Sequence, residues 1–334
     1  MLSGSRNPPP STTEELLGTD LSRRLDRLDV ISRKVFAGKL PGERRSKRRG
    51  QSVEFDDYRQ YAPGDDLRHL DWNVFARLDR FFIKLFREEE DLALHVVIDA
   101  SESMDAGERD ASGGHAAVPS KLVFAHQIAM ALGYVGLVGQ NRVGVSVFGR
   151  PGEGLRRVSG LRGRRAVERL SAFLLESLRP VPHDAEADPP LDFASGLRRV
   201  ALDRGGKGVL VLLSDLLVRD GLNRGLTDIG IAASKGSLDA FCLQLLSPGE
   251  LDPASERDRG LVGDLRLTDA ESGAPAEVTL SKDLLERYER RLRLHVDDVA
   301  TLCASRSIDH LVVSTDTPVD RLVLQNLRRR GVVG

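Results

Sequence analysis

Residues 92–104 read LALHVVIDASESM, and the fold turns on this stretch. Leu92, Ala93, Leu94, Val96, Val97 and Ile98 form an apolar run interrupted only by His95. So short and apolar a run suits a strand buried on both faces, as in the middle of a parallel sheet. Asp99 follows at its carboxyl end, where open α/β sheets place their ligands. The alternation Asp99-x-Ser101-x-Ser103 then sets three oxygen-bearing side chains on one turn. Oxygens on a tight loop are what a hard divalent cation needs: Mg²⁺ takes octahedral oxygen ligands at roughly 2.0–2.1 Å and keeps several waters. Alone, the same pattern also serves an ordinary turn, because Asp and Ser bond nearby backbone.

Two further stretches favour the metal reading. GVLVLLSDLL, residues 208–217, is a second apolar run that ends in Asp215. PPLDFASGL, residues 189–197, delivers Asp192 in a loop before a helix. Apolar runs alternate with helical patterns along most of the chain. Lys121–Val138 reads as a buried helix, Arg142–Phe148 as a strand, Leu155–Val158 as a short edge strand and Arg164–Leu178 as an amphipathic helix. Phe193–Leu202 reads as a short helix, Val209–Leu213 as a buried strand, Leu222–Ala233 as a helix and Leu238–Leu246 as a strand. A small hairpin, Leu261–Leu267 with Glu277–Leu280, breaks this rhythm. Helix Lys282–Ala304, strand Ile308–Val313 and helix Val319–Arg330 follow it. Strands alternating with helices predict an α/β fold with a Rossmann-like, mainly parallel central sheet flanked by helices.

The composition bounds the function. The chain has 334 residues, 40% hydrophobic and 30% charged, with a net charge of −1, so a general polyelectrolyte binder is not expected. No apolar run reaches the roughly 18 residues a membrane span requires without interruption, and the first residues lack the apolar core of a signal peptide. The expectation is a cytoplasmic protein with no direct membrane insertion. Cys242 and Cys303 lie apart in apolar contexts and read as buried small hydrophobes. The glycines of GYVGLVGQNRVG follow a helix and precede a strand, the wrong order for a dinucleotide loop.

Three segments make up the expected organisation: a disordered tail over 1–12, an extension over 13–90, and an α/β domain over 91–334. The extension opens on a helix from Thr13 to about Phe36, broken at Gly18. A basic run, ERRSKRRGQS, follows at residues 43–52; nucleic-acid binding through 43–49 is the weakest reading, since no interleaved aromatics accompany it. Residues 53–90 then hold Trp72, Tyr58 and Tyr61, with Asp65, Asp66, Arg68, Asp71 and Arg77 set among apolar residues. That alternation predicts an ion-paired layer beneath an aromatic cluster. Asp65 or Asp66 as the base of a paired-carboxylate active site is the less favoured alternative.

The set Asp99, Ser101, Ser103 and Asp215 resembles the metal-ion-dependent adhesion site of a von Willebrand factor type A domain, matching its first and third motifs. The second motif normally supplies a Thr; the aligned position is Leu191, which has no side-chain oxygen. The resemblance implies Mg²⁺, or Mn²⁺ or Ca²⁺, at Asp99, Ser101, Ser103 and Asp215, with Asp192 or a water replacing the absent ligand. Glu54-Phe55, Arg59-x-Tyr61, Pro63-Gly64-Asp65-Asp66, Arg68, Asp71-Trp72, Ala76-Arg77 and Ile83-Lys84, followed by the Asp99 loop, resemble the bacterial domain-of-unknown-function family 58. In that family the segment precedes a type A domain. The resemblance implies an adaptor role beside a MoxR-type AAA+ ATPase or its client, not an enzymatic activity. The competing enzyme reading is a metal-assisted phosphohydrolase on Asp99 and Asp215, but the loops after their strands offer no Lys or Arg clamp.

Overall fold

The computed structural model describes residues 9–32, 55–62, 70–86, 92–105, 118–179, 190–203, 207–235, 238–253, 264–268, 275–279 and 281–334. The chain divides into two compact units, Met1–Ala37 with Leu92–Gly334, and Gly38–Asp91.

The larger unit is built on a six-stranded sheet. In chain order its strands are β3 (Ala93–Asp99), β4 (Arg142–Phe148), β5 (Arg156–Leu161), β6 (Gly208–Ser214), β7 (Leu238–Leu246) and β10 (Ile308–Ser314). Their spatial order is β10-β7-β6-β3-β4-β5. All neighbours run parallel except β5, which pairs antiparallel with β4 at the edge. Fold class and mainly parallel sheet are therefore as the alternating pattern predicts. Gly208 shows how tightly β3 and β6 meet: with φ at +151°, a Cβ there would come within 2.0 Å of the Ala93 carbonyl oxygen.

Alternation along the central strands separates two cores. Leu94, Val96 and Ile98, with Val209, Val211 and Leu213, face helix α4 (Lys121–Val138). Val97, Leu210 and Leu212 belong to the opposite core with Leu197 of α6 (Phe193–Asp203) and Leu226 and Ile229 of α7 (Leu222–Lys235). Helix α4 is apolar on every side, as a helix enclosed by other elements must be. It is also long and apolar enough to cross a membrane, but 78% of it is buried inside the fold. Each fully buried aliphatic side chain contributes about 1.5–3 kcal/mol, so these two layers hold the strand ends in place.

The N-terminal segment breaks at Gly18, as its sequence predicts, but its helical part ends sooner. Gly18, at φ +77°, separates α1 (Thr13–Leu17) from α2 (Thr19–Leu25), and α2 stops at Asp26. Val30 then bridges antiparallel to Val333, and Asp29 and Gly334 exchange backbone hydrogen bonds. The helical spacing of Leu28 and Ile31 loses to this pairing with the far end of the chain. The C-terminal helix is likewise composite: α-helical at Val319–Arg321 and a π-helix over Leu322–Leu327. The remaining hairpin, β8 (Asp264–Thr268) with β9 (Pro275–Thr279), and the long α9 (Lys282–Ala304) follow the expected pattern.

The smaller unit carries an antiparallel hairpin of β1 (Phe55–Gln60) and β2 (Phe82–Phe86) around helix α3 (Trp72–Leu78). Asp71 caps α3 by accepting from the Asn73 and Val74 N–H groups, and its other oxygen accepts from the Tyr58 hydroxyl at 2.9 Å. Asp71 is therefore a helix cap. Phe75 and Phe81 stack at 4.4 Å between centroids. Asp65, Asp66, Arg68 and the basic run 43–49 lie outside the described residues.

Candidate functional site

The sheet order has a reversal at its centre. From β3 the chain moves to β4 on one side; it returns to β6 on the other side and proceeds to β7. The crevice between the carboxyl ends of β3 and β6 is the switch point at which such sheets bind ligands. Asp99 ends β3, and Asp215 directly follows β6. Both carboxylates are almost fully buried.

Their surroundings differ. Asp99 Oδ1 accepts from the Ser101 N–H at 3.0 Å, and Oδ2 accepts from the Ser214 hydroxyl at 2.7 Å. Every hydrogen bond shown to Asp99 thus comes from a neutral donor. Burial first, and the charge of Asp215 second, push its carboxyl from 3.8 up to about 6, against the lowering pull of the Ser214 and Ser101 hydrogen bonds. Asp215 Oδ1 accepts from the Leu217 N–H at 3.0 Å, while Oδ2 accepts from the Lys121 ammonium at 2.8 Å. Lys121 also donates to Glu250 Oε1 at 2.6 Å. Burial alone would push Lys121 down, but the charges and hydrogen bonds of Asp215 and Glu250 outweigh it and hold the ammonium above its ordinary value. Glu250 is fixed in turn by a capping box with Ser247, whose N–H and hydroxyl reach its Oε2 at 2.7 and 3.0 Å.

Backbone geometry at the site is specialised. Gly149, at φ +98°, lies so close to the Asp99 loop that a Cβ would sit 2.9 Å from the Ser101 nitrogen. Leu216 has φ +57°, a left-handed conformation that disfavours a branched side chain. It is held by Ser214 Oγ at its N–H and by His295 Nε2 at its carbonyl, 3.0 Å in each case. Gln244 Nε2 donates to the Asp215 carbonyl at 2.9 Å. Tyr288, on the same helix as His295, is pushed up to about 12 by burial and by the charge of Glu250.

Of the sequence-predicted ligands, Asp99, Ser101, Ser103 and Asp215 are gathered at the two strand ends. The Ser101 and Ser103 hydroxyls lie 3.2 Å apart and are half-buried. Asp192 serves as the cap of α6, with Oδ1 accepting from the Ser195 N–H at 2.9 Å; that side-chain and backbone bonding to Ser195 holds its carboxyl below the usual range. Leu191 packs against the second core. Among the described residues no group of three or more His, Cys, Asp or Glu is assembled to hold a metal. The donors present, one carboxylate and two hydroxyls, are oxygen ligands of the kind Mg²⁺ takes. Charge supports the fit: Asp215 and Glu250 share the Lys121 ammonium, and among the described residues no cation is bonded to Asp99, leaving negative charge for a cation to neutralise.

Lys121, Glu250, Ser214 and His295 are absent from the sequence reading. Lys121 carried a signal, because a cation in the first turn of a helix opposes the helix dipole and calls for a fixed anion. Ser247-Pro-Gly-Glu250 carried another, the Ser-x-x-Glu pattern of a capping box.

Comparisons with known proteins place the chain in a family. It is 26% identical over 329 residues to uncharacterized proteins of Mycobacterium tuberculosis and Mycobacterium bovis, across 98% of this chain and 96% of each relative. The PilB minor pilin from Streptococcus sanguinis aligns with a TM-score of 0.37 at 10% identity, over 75% of this chain and 64% of that one, less than two thirds of the pilin's length. The family model described as protein of unknown function DUF58 matches residues 57–298, most of the chain, and the protein belongs to that family.

Proposed function

We propose that this protein is a non-enzymatic interaction module, of von Willebrand factor type A-like design, that captures its partner through a divalent cation. The observation that carries this reading is the pairing of a buried, neutrally hydrogen-bonded Asp99 with the Ser101 and Ser103 hydroxyls at the sheet's switch point. Asp99, Ser101 and Ser103 would hold the ion, with Asp215 beside them and waters completing the shell. Mg²⁺ is the cation assigned, with Mn²⁺ and Ca²⁺ as alternatives. Such an ion supplies an electron-poor centre that takes up an oxygen anion. The chain's own residues fix its ligands: Ser214 and the Ser101 N–H orient Asp99, and Gly149 lets the hydroxyl loop approach.

The partner assigned is a MoxR-type AAA+ ATPase or a client it remodels, in the cytoplasm, with this chain as adaptor or accessory. Lys121 does not revive the phosphohydrolase reading. It is 1% exposed and bonded to two carboxylates, so it offers no clamp to a phosphate. The test is capture of the ATPase on the immobilised chain. Capture in Mg²⁺ that vanishes in EDTA and in Asp99→Ala supports the proposal. Capture indifferent to EDTA removes the metal, and absence of capture removes this partner.

A further inference from the structure

The adhesion-site resemblance treats Asp99 and Asp215 as comparable ligands. The side chains around them are not comparable. Among the described residues Asp99 meets only neutral donors, whereas Asp215 meets an ammonium buried as deeply as itself. Lys121 is the first residue of α4, on an 18-residue helix whose N-terminus repels cations, so its place is maintained by the two carboxylates it bridges. Those carboxylates come from separate elements: Asp215 from the end of β6, and Glu250 from the capped turn after β7. One ammonium therefore ties three segments together at the carboxyl edge of the sheet. It also supplies, from within the protein, the positive charge that a second bound ion would otherwise supply.

We propose that Lys121 is the resident cation of this site: it neutralises and anchors Asp215, so that an incoming divalent ion is held by Asp99, Ser101 and Ser103 and not directly by Asp215. The inference rests on the reading of the site given above and assigns its two carboxylates different duties. Asp215 is a positioning residue whose work is done through Lys121, and Glu250 completes the pair on the outer side.

The experiment uses the full chain, with Mn²⁺ as the probe, in calorimetric titrations and thermal unfolding of the wild type, Lys121→Met, Asp215→Asn and the double variant Lys121→Met/Asp215→Asn. Lys121→Met strips the counter-charge from the buried Asp215 and the half-buried Glu250. It is expected to lower the unfolding midpoint in EDTA by about 5 °C and to bind Mn²⁺ about tenfold more tightly than the wild type. A purely structural lysine would give the first effect without the second, so destabilisation without tighter binding overturns the assignment, as does a variant that matches the wild type in both. Asp215→Asn and the double variant keep the shape of the site while removing charge. Both are expected to retain Mn²⁺ within about tenfold of the wild-type affinity. Loss of binding in the double variant as complete as in Asp99→Ala overturns the assignment even where Lys121→Met alone fails to fold. Failure of the wild type itself to bind Mn²⁺ overturns the reading of the site. The midpoints in EDTA then still decide the pairing, which stands if the double variant unfolds above Lys121→Met and falls if the two losses simply add.

Discussion

The ends of β3 and β6 are two versions of one design. Each is a buried apolar strand that terminates in an aspartate, and the strands are neighbours in the sheet. At β3 the charge of Asp99 is met, among the described residues, by dipoles alone, the Ser214 hydroxyl and a backbone N–H. At β6 the charge of Asp215 is met by an ammonium. Burial at the same depth thus produces an anion in want of a cation in one place and a closed ion pair in the other. What separates them is not the strand or the motif but which helix begins nearby, since Lys121 reaches Asp215 and Glu250 from the start of α4.

The largest break expected in this comparison is removal of the ammonium. Breaking a buried pair by deleting one partner costs about 3–5 kcal/mol, because an uncompensated charge stays behind. Lys121→Met is expected to lose that much in urea unfolding. Among the described residues the β3 end has no such pair, and Asp99→Asn in EDTA is expected to lose nothing comparable at neutral pH.

Proton uptake sharpens the contrast, with His126 as the background. His126 is fully buried, between the Leu122 carbonyl and the Ser177 hydroxyl, and burial pushes it from 6.5 down to about 4. Its neutral form is the one the fold accepts. The associated stability is therefore complete above pH 6.5 and is lost as pH falls towards 4, by about 3 kcal/mol in all. Asp99 works in the other direction. Its folded pKa is raised from 3.8 to about 6, so its contribution is greatest at low pH and is lost as pH rises through 6. In EDTA the two slopes oppose each other between about pH 4 and 6. Asp99→Asn, which cannot titrate, is expected to expose the full acid loss of His126, with urea midpoints that fall more steeply below about pH 6 than those of the wild type.

Gly149 tests the β3 end by itself. A Cβ there would meet the Ser101 nitrogen at 2.9 Å in a backbone region that only glycine adopts easily. Gly149→Ala is expected to cost about 2 kcal/mol and to weaken cation binding, while the Lys121–Asp215 pair stays intact. Ser214→Ala removes the hydroxyl that both donates to Asp99 and accepts from the Leu216 N–H, and is expected to cost about 2 kcal/mol. Cation affinity should change by less than in Gly149→Ala, because the charge itself remains.

Strand Leu238–Leu246 and helix Lys282–Ala304 were legible to the residue because each is specified by its own apolar pattern. Asp99 and Asp215 were legible for the same reason, as each closes a recognisable run. The segment after α2 was not: its structure is fixed by pairing Val30 with Val333, a partner that no local window contains. The counter-charge of the site was hidden in the same way. Lys121 lies 94 residues from Asp215 and 129 from Glu250, and only the folded sheet brings them together. Asp192, an aspartate before a helix, has a local use, capping, that competes with any distant one.

The most direct test of the account is a calorimetric titration of the purified chain with Mg²⁺, beside Asp99→Ala. The account predicts saturable binding to the wild type and none to the variant. Binding of equal strength to both, or none to either, would contradict the claim that the β3 end is the cation site.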